Sequence, residues 1–356
     1  MMKLLRKIGI VLFSIIALLA LGLGYLTLVE YNPKPLTNLS VENNQTTLVQ
    51  KNETYKGVTF NLGYASLGKD EDFVMDGGEK GRTDNKDVML SYLEGIQGIL
   101  TQAEADFYLL QEVDLKARRS YKVNQVQSNS ELLGSLYNYT FAHNFKAQFV
   151  PFPVSFTDYI GYVESGLQTL SKFKIEEANR HQFPGEFAWP LRIANLKRAM
   201  VVQEYDVFNS DKKFILVNLH MSAYDGDGTL REQEMNYLKA FLEVQKALGN
   251  YVVVGGDFNQ TFPEAVGIYP PKQDIWVAYD MEDDFLPNGF SFKLDLNHPS
   301  CRLLNQPFNP EDEKTQYYII DGFIVSDNVL VSNVTNLDHG FLYSDHNPIQ
   351  IEFQLI

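Results

Sequence analysis

Two passages of this chain carry the same succession of signals, and that repetition restricts the fold more than any other feature. In the first, Val58-Thr59-Phe60-Asn61-Leu62 reads as a strand closing on a polar residue, Met89, Leu93, Ile96 and Leu100 recur at helical spacing, and Phe107-Tyr108-Leu109-Leu110 is a strand ending in Gln111-Glu112. In the second, Phe214-Ile215-Leu216-Val217-Asn218-Leu219 ends at His220, a helix follows through Met235, Leu238 and Leu242, and Tyr251-Val252-Val253-Val254 runs into Gly255-Gly256-Asp257-Phe258-Asn259. Each is a strand-helix-strand unit whose polar residues sit at the C-terminal ends of its strands. Two such sheets packed face to face gather those ends at one rim, so the sequence predicts an α/β fold with a site between its halves.

Residues 8–29 carry no charge and are long enough to cross a bilayer as one helix. Lys3, Arg6 and Lys7 precede them, so the positive-inside rule keeps residues 1–7 in the cytoplasm and sends everything after Val29 outside. A cleavable signal peptide is the competing reading, but the apolar run exceeds the usual length and no Ala-x-Ala site follows. The expectation is a single-pass protein of the cell membrane with an extracellular catalytic domain. Residues 30–56, rich in Asn, Thr, Gln and Pro, read as a linker, and the folded domain is expected over residues 57–356. Cys301 is the single cysteine and has no internal partner for a disulfide, so the core alone must hold the domain.

Six of the 30 Lys/Arg and three of the 45 Asp/Glu fall in residues 1–56, which leaves 24 − 42 = −18 for the remainder. That is the opposite of the electrostatic footprint of a protein that tracks nucleic acid, and it weakens a nuclease reading. The polar stretches Gly68 to Lys86 and Arg118 to Ser128, and the aromatic stretch Gln148 to Tyr162, read as loops that surround a site and set substrate choice.

Taken singly, the polar residues at the strand ends have ordinary explanations. Glu112 reads as a solvated charge, Asn61 as a strand terminator and His220 as a satisfied near-core histidine. Asp257 and Asn259 say more, because the two glycines before them point to close packing or unusual backbone at a strand exit. Asp321 interrupts the apolar run Tyr317 to Val325 and needs a partner, which Ser344-Asp345-His346-Asn347-Pro348 is placed to supply. Carboxylates, an amide and a histidine at neighbouring strand ends suit metal-assisted phosphate chemistry.

In this order Asn61, Leu110-Gln111-Glu112-Val113, Gly166-Leu167-Gln168-Thr169-Leu170-Ser171-Lys172, Asn218-Leu219-His220, Gly256-Asp257-Phe258-Asn259, Ile320-Asp321-Gly322-Phe323-Ile324 and Ser344-Asp345-His346-Asn347-Pro348 resemble the signatures of the DNase I-like endonuclease/exonuclease/phosphatase superfamily, which includes nucleases, inositol polyphosphate phosphatases and neutral sphingomyelinases. They span residues 61–348. The resemblance implies a four-layer α/β sandwich, with two mixed β-sheets flanked by helices, after one N-terminal transmembrane helix. It further implies Glu112 as the principal magnesium ligand, with Asn61 and Asp345 near the metal and manganese as the alternative ion. Asp257 would activate the attacking water, Asn259 would bind phosphate, His346 would pair with Asp321 and contact a phosphate oxygen, and His220 would be the second phosphate-facing histidine. Tyr162 and Arg302 enter as substrate-binding candidates on looser matches, and Lys172 stands where the family has arginine.

The function so implied is a magnesium-dependent phosphate-ester hydrolase acting without a covalent intermediate, on nucleic acid or on a phospholipid head group. A sphingomyelinase-like or phosphoinositide-phosphatase-like lipid hydrolase is the alternative. A catalytically silent surface-binding protein is the competing class, disfavoured because it has no use for so many costly polar groups at strand ends. No obligate protein partner is inferred.

Overall fold

Both strand-helix-strand passages form, one in each of two sheets. The computed structural model describes residues 2–356. Along the chain, α1 (Met2–Leu28) is followed by β1 (Leu36–Asn38), then β2 (Tyr55–Asn61), α2 (Lys86–Ala103) and β3 (Phe107–Ala117). Next come α3 (Gln125–Leu133), β4 (Asn138–Val150), β5 (Gly161–Ser171), β6 (Glu177–Gln182) and β7 (Ala199–Asp206). The second passage is β8 (Lys213–His220), α4 (Thr229–Leu248) and β9 (Tyr251–Asp257). Short strands β10 (Gln260–Thr261), β11 (Tyr279–Asp280), β12 (Phe290–Lys293), β13 (Cys301–Arg302) and β14 (Tyr317–Tyr318) lead to β15 (Asp321–Ser326), β16 (Val329–Asn336) and β17 (Ile349–Leu355).

One sheet runs β1-β6-β7-β8-β9-β15-β12 and the other β16-β17-β2-β3-β5-β4. Each holds one parallel pair, β8 with β9 and β2 with β3, among antiparallel neighbours, because a helix crossover returns the chain parallel and hairpins do not. Alternation along β3 assigns its faces: Phe107 and Leu109 point between the sheets with Phe214, Leu216, Val253, Phe323 and Ile351, whereas Tyr108 and Leu110 point outward. Met89, Leu93, Ile96 and Leu100 of α2 cover that outer face, and Met235, Leu238 and Leu242 of α4 cover the outer face of the other sheet. This is the four-layer sandwich. Each such buried Leu or Ile contributes about 1.5–3 kcal/mol over an exposed one, so apolar burial supplies most of the cohesion in a chain without a disulfide.

The glycines before Asp257 serve close packing. A Cβ on Gly256 would lie 2.1 Å from the Leu219 carbonyl oxygen, and one on Gly255 would lie 2.6 Å from the Phe323 ring. Asn218 breaks its apolar run because it bridges the sheets: it accepts from Gln111 Nε2 at 2.8 Å and donates to the Leu110 and Gln168 carbonyls and to Thr169 Oγ1.

Four expectations need correction. The segment 30–56, expected as a linker, is largely stitched to the domain: β1 pairs with β6, Val49 is fully buried, and Glu30 forms ion pairs with Lys197 at 2.8 Å and Arg192 at 3.3 Å. Its polar composition hid this because edge pairing uses backbone groups that any sequence supplies. Strand β3 does not stop at Glu112 but continues to Ala117, with its pairing to β5 shifted between Leu110 and Val113. The apolar run around Asp321 is two strands, β14 and β15, rather than one, and Gln125 to Ser128 belong to α3.

Candidate active site

Strand register decides which polar side chains meet. In the parallel pairs Asn61 lies opposite Gln111 and His220 opposite Asp257, and the antiparallel neighbour places Asp321 opposite Asp257. The segment 344–347 is drawn to the same rim by Ser344 Oγ on the Asn61 carbonyl, Arg302 N–H on the Asp345 carbonyl and Asn347 N–H on the Ser300 carbonyl.

Asp257 is the node. Its Oδ2 accepts from Asn61 Nδ2 at 3.0 Å and lies 3.3 Å from His220 Nε2 and 3.8 Å from His346 Nε2, while Oδ1 accepts the Asn259 N–H at 2.9 Å. Burial, with Asp321 adding to it, pushes the Asp257 carboxyl up to about 6. His346 Nδ1 is 2.8 Å from Asp321 Oδ2. Burial alone would favour a neutral His346 ring, but Asp321 and the neighbouring acidic groups outweigh it and hold the ring protonated well above the ordinary range. His220 goes the other way: burial, with the Arg198 and His346 charges, keeps it neutral and leaves its Nδ1 without a partner.

Glu112 sits where β3 bulges, at φ +55°, a backbone conformation that side chains seldom adopt and that bulges impose. Burial raises its carboxyl, partly opposed by Arg119 and Arg198. Asp345 is pushed up to about 7 by burial, with His346 pulling down and Glu112 pushing up. Among the described residues neither carboxylate has an ion-pair partner within 4.0 Å, and Asp345 Oδ1 accepts from Ser344 Oγ at 3.3 Å. Two mutually repelling acids with free oxygens at one cavity fit a hard divalent cation, with the Asn61 amide beside them. Two tighter groupings, Asp257-Asp321-His346 and Cys301-Asp345-His346, also occur. They fit a cation less well, since the first is spent on internal hydrogen bonds and burial pushes the Cys301 thiol far up.

Asn61, Glu112, His220, Asp257, Asn259, Asp345 and His346 all line one cavity of about 680 Å³, with Asp321 immediately behind His346. Asn259, at φ +52°, donates from Nδ2 to the Met221 carbonyl, which leaves one N–H of its amide free for a ligand. The two looser candidates differ. Tyr162 lies on β5 outside the cavity wall, with the Lys116 ammonium 5.8 Å from its ring centre. Arg302 touches the cavity, but its guanidinium is fixed to the Gly68, Leu303 and Gln306 carbonyls, a loop-fastening arrangement.

Sequence reasoning missed Arg119, Arg198, Tyr64 and Tyr224, which line the cavity as well. Arg119 pairs with Asp114 at 3.0 Å and stacks 3.5 Å from the Tyr64 ring centre, and Arg198 keeps one unpaired Nη1. The one available signal was positional: Arg198 immediately precedes Ala199, which lies opposite His220 in the β7–β8 ladder.

The model of the Endonuclease/Exonuclease/phosphatase family matches residues 58–346. Similar solved structures include an endonuclease/exonuclease/phosphatase from Beutenbergia cavernae DSM 12333, at 15% identity and TM-score 0.59 over 85% of this chain and 72% of that one. Truncated Caenorhabditis elegans TDP2 is similar at 14% identity and TM-score 0.53, covering 85% and 99%. The human Nocturnin catalytic domain with bound sulfate is similar at 15% identity and TM-score 0.52, covering 89% and 98%. Curated protein sequences gave no significant match.

Proposed function

The chain belongs to the Endonuclease/Exonuclease/phosphatase family of phosphoester hydrolases, and from that membership and the geometry of its cavity we propose a magnesium-dependent phosphoesterase held on the outer face of the membrane by α1. The observation that carries the reading is the Asp257 carboxylate, buried, raised to about 6 and gripped by Asn61 and His220 beside a protonated His346.

Glu112 and Asp345, with Asn61, would hold the cation, which supplies polarisation of a phosphoryl oxygen. At neutral pH Asp257 is mostly ionised, and its Oδ2 accepts a proton from a water aligned on phosphorus. Asn61 and His220 fix that oxygen in place. Asp321 holds His346 with Nε2–H available to a phosphoryl oxygen, a contact that strengthens as charge builds. Arg198 and Arg119 add positive charge to the same wall.

Anchoring is supported by contacts that removal of the helix would destroy. The Trp189 indole N–H donates to Thr27 Oγ1 at 3.2 Å, and Leu23 and Leu26 form part of the cavity wall. The test is hydrolysis of bis(p-nitrophenyl) phosphate by the purified full chain, with magnesium or chelator, beside Asp257→Asn. Magnesium-dependent turnover lost in the variant is expected, and equal turnover in the variant would refute the mechanism. Protease access to the catalytic domain in intact cells tests the outward orientation.

A further inference from the structure

Most of the cavity lining beyond the acidic cluster is apolar. Phe73, Phe145, Val150, Ile160, Ile193 and Leu196 form part of that apolar wall. That wall is completed by Leu23 and Leu26 of α1. A helix rises about 1.5 Å per residue, so these two side chains lie about 9 Å and about 4.5 Å below Val29, the outer end of the uncharged run. With α1 spanning the bilayer as proposed above, the cavity would open at the depth of the outer-leaflet acyl chains.

The rim around this opening is apolar as well. Phe149, Phe152 and Leu191 of the cavity lining are exposed, and Val154 and Phe156, on the loop that continues from Phe152, are 95% and 103% exposed. Such a cluster is costly in water and is stabilised at a lipid interface, where indole and phenyl rings concentrate. The opening is held in place relative to α1. Glu30, directly after α1, is held by Lys197 and Arg192, and Trp189 is bonded to Thr27. A water-soluble nucleotide or polynucleotide gains little from these walls, and the domain's −18 charge repels it further.

We infer that the substrate is a bilayer-resident phospholipid, its phosphate ester on the acidic floor and an acyl chain along the apolar wall that α1 completes. This rests on the hydrolase reading, and it adds substrate class and the direction of entry. The volume of about 680 Å³ lies within the range of small-molecule sites and accommodates a chain segment rather than a whole lipid, so the remaining tail stays in the leaflet.

The experiment uses the full chain reconstituted in phosphatidylcholine/phosphatidylglycerol vesicles. Two readouts are taken: the rate of phosphorylated head-group release from long-chain lipid relative to the rate on bis(p-nitrophenyl) phosphate, and mapping of cross-links from a phosphatidylcholine with a diazirine at the end of one acyl chain. Cross-links at Phe145, Ile160 or Ile193 are expected. Leu191→Glu should lower the lipid-to-soluble rate ratio about tenfold or more, the effect of losing the burial of one exposed leucine against a bound acyl chain. Phe149→Ser serves as the second variant should the first misfold. Cross-links confined to α1, or an unchanged rate ratio in both variants, overturn the inference and leave the hydrolase reading standing. Nicking of supercoiled plasmid with no cavity cross-link does the same in favour of nucleic acid. Cavity cross-links without turnover of either probe support the lipid site and refute the hydrolase reading.

Discussion

The floor and the mouth of the cavity are built on opposite principles. At the floor, Asn61, His220, Asp257 and Asp321 come from strand ends in fixed register; Asn61 is hydrogen-bonded to Asp257 at 3.0 Å and His346 to Asp321 at 2.8 Å, with His220 3.3 Å from Asp257. At the mouth, apolar side chains of the loops before β5 and before β7 line one cavity together with Leu23 and Leu26 of α1, and several of them are exposed. A floor of this kind fixes chemistry, because an unpaired charge there is costly and every group is positioned by another. A mouth of this kind selects by burial, which is undirected and tolerant of detail. Substitutions should therefore sort by region.

The largest effect is expected from Asp257→Asn, which removes the proton acceptor while keeping shape. Turnover of any phosphoester should fall about 10³-fold, with unchanged circular dichroism. A loss confined to lipid would break the division of labour. Glu112→Gln comes next. Magnesium affinity by calorimetry should fall more than about 100-fold, since removal of a group merely supporting a ligand already costs 10–100-fold. The metal-free melting temperature should not drop, because the change removes a charge that repels Asp345.

Protonation gives a third, smaller effect, specific to the floor. Asp345, raised to about 7, binds its proton more tightly folded than unfolded. Its stabilising contribution is therefore complete below about pH 4 and is lost as pH rises through about 7. Neutral His220 acts in the opposite sense below about pH 6.5, so the measurement is a difference. In chelator, the melting temperature of the wild type relative to Asp345→Asn should decline from pH 4 to pH 8, and a flat difference would remove Asp345 from the repulsive pair. The smallest effect is expected for Tyr162→Phe, at less than about twofold in turnover, since its side chain lies outside the cavity. A larger loss would extend the site beyond the floor drawn here.

The legibility of the two regions in sequence differs as much as their physics. Asn61, Glu112, His220, Asp257, Asn259, Asp321, Asp345 and His346 stand at predicted strand ends, and the structure brings all eight together at one cavity and its immediate backing. Tyr162 and Arg302 rest on looser matches: Tyr162 lies outside the cavity wall, whereas Arg302 touches the cavity with its guanidinium bonded to loop carbonyls. The attachment of residues 30–56 was missed because backbone pairing at a sheet edge leaves no periodicity.

The two strand-helix-strand units and the acidic rim are legible in one dimension, because side-chain period and strand-end polarity are local. That Arg119, Arg198 and Tyr64 join that rim, that Glu112 sits on a bulge, and that Leu23 and Leu26 complete the wall of the cavity emerges only in three dimensions. Those are meetings between segments far apart in the chain. Packing selects them by shape and buried area, which no local pattern of residues encodes.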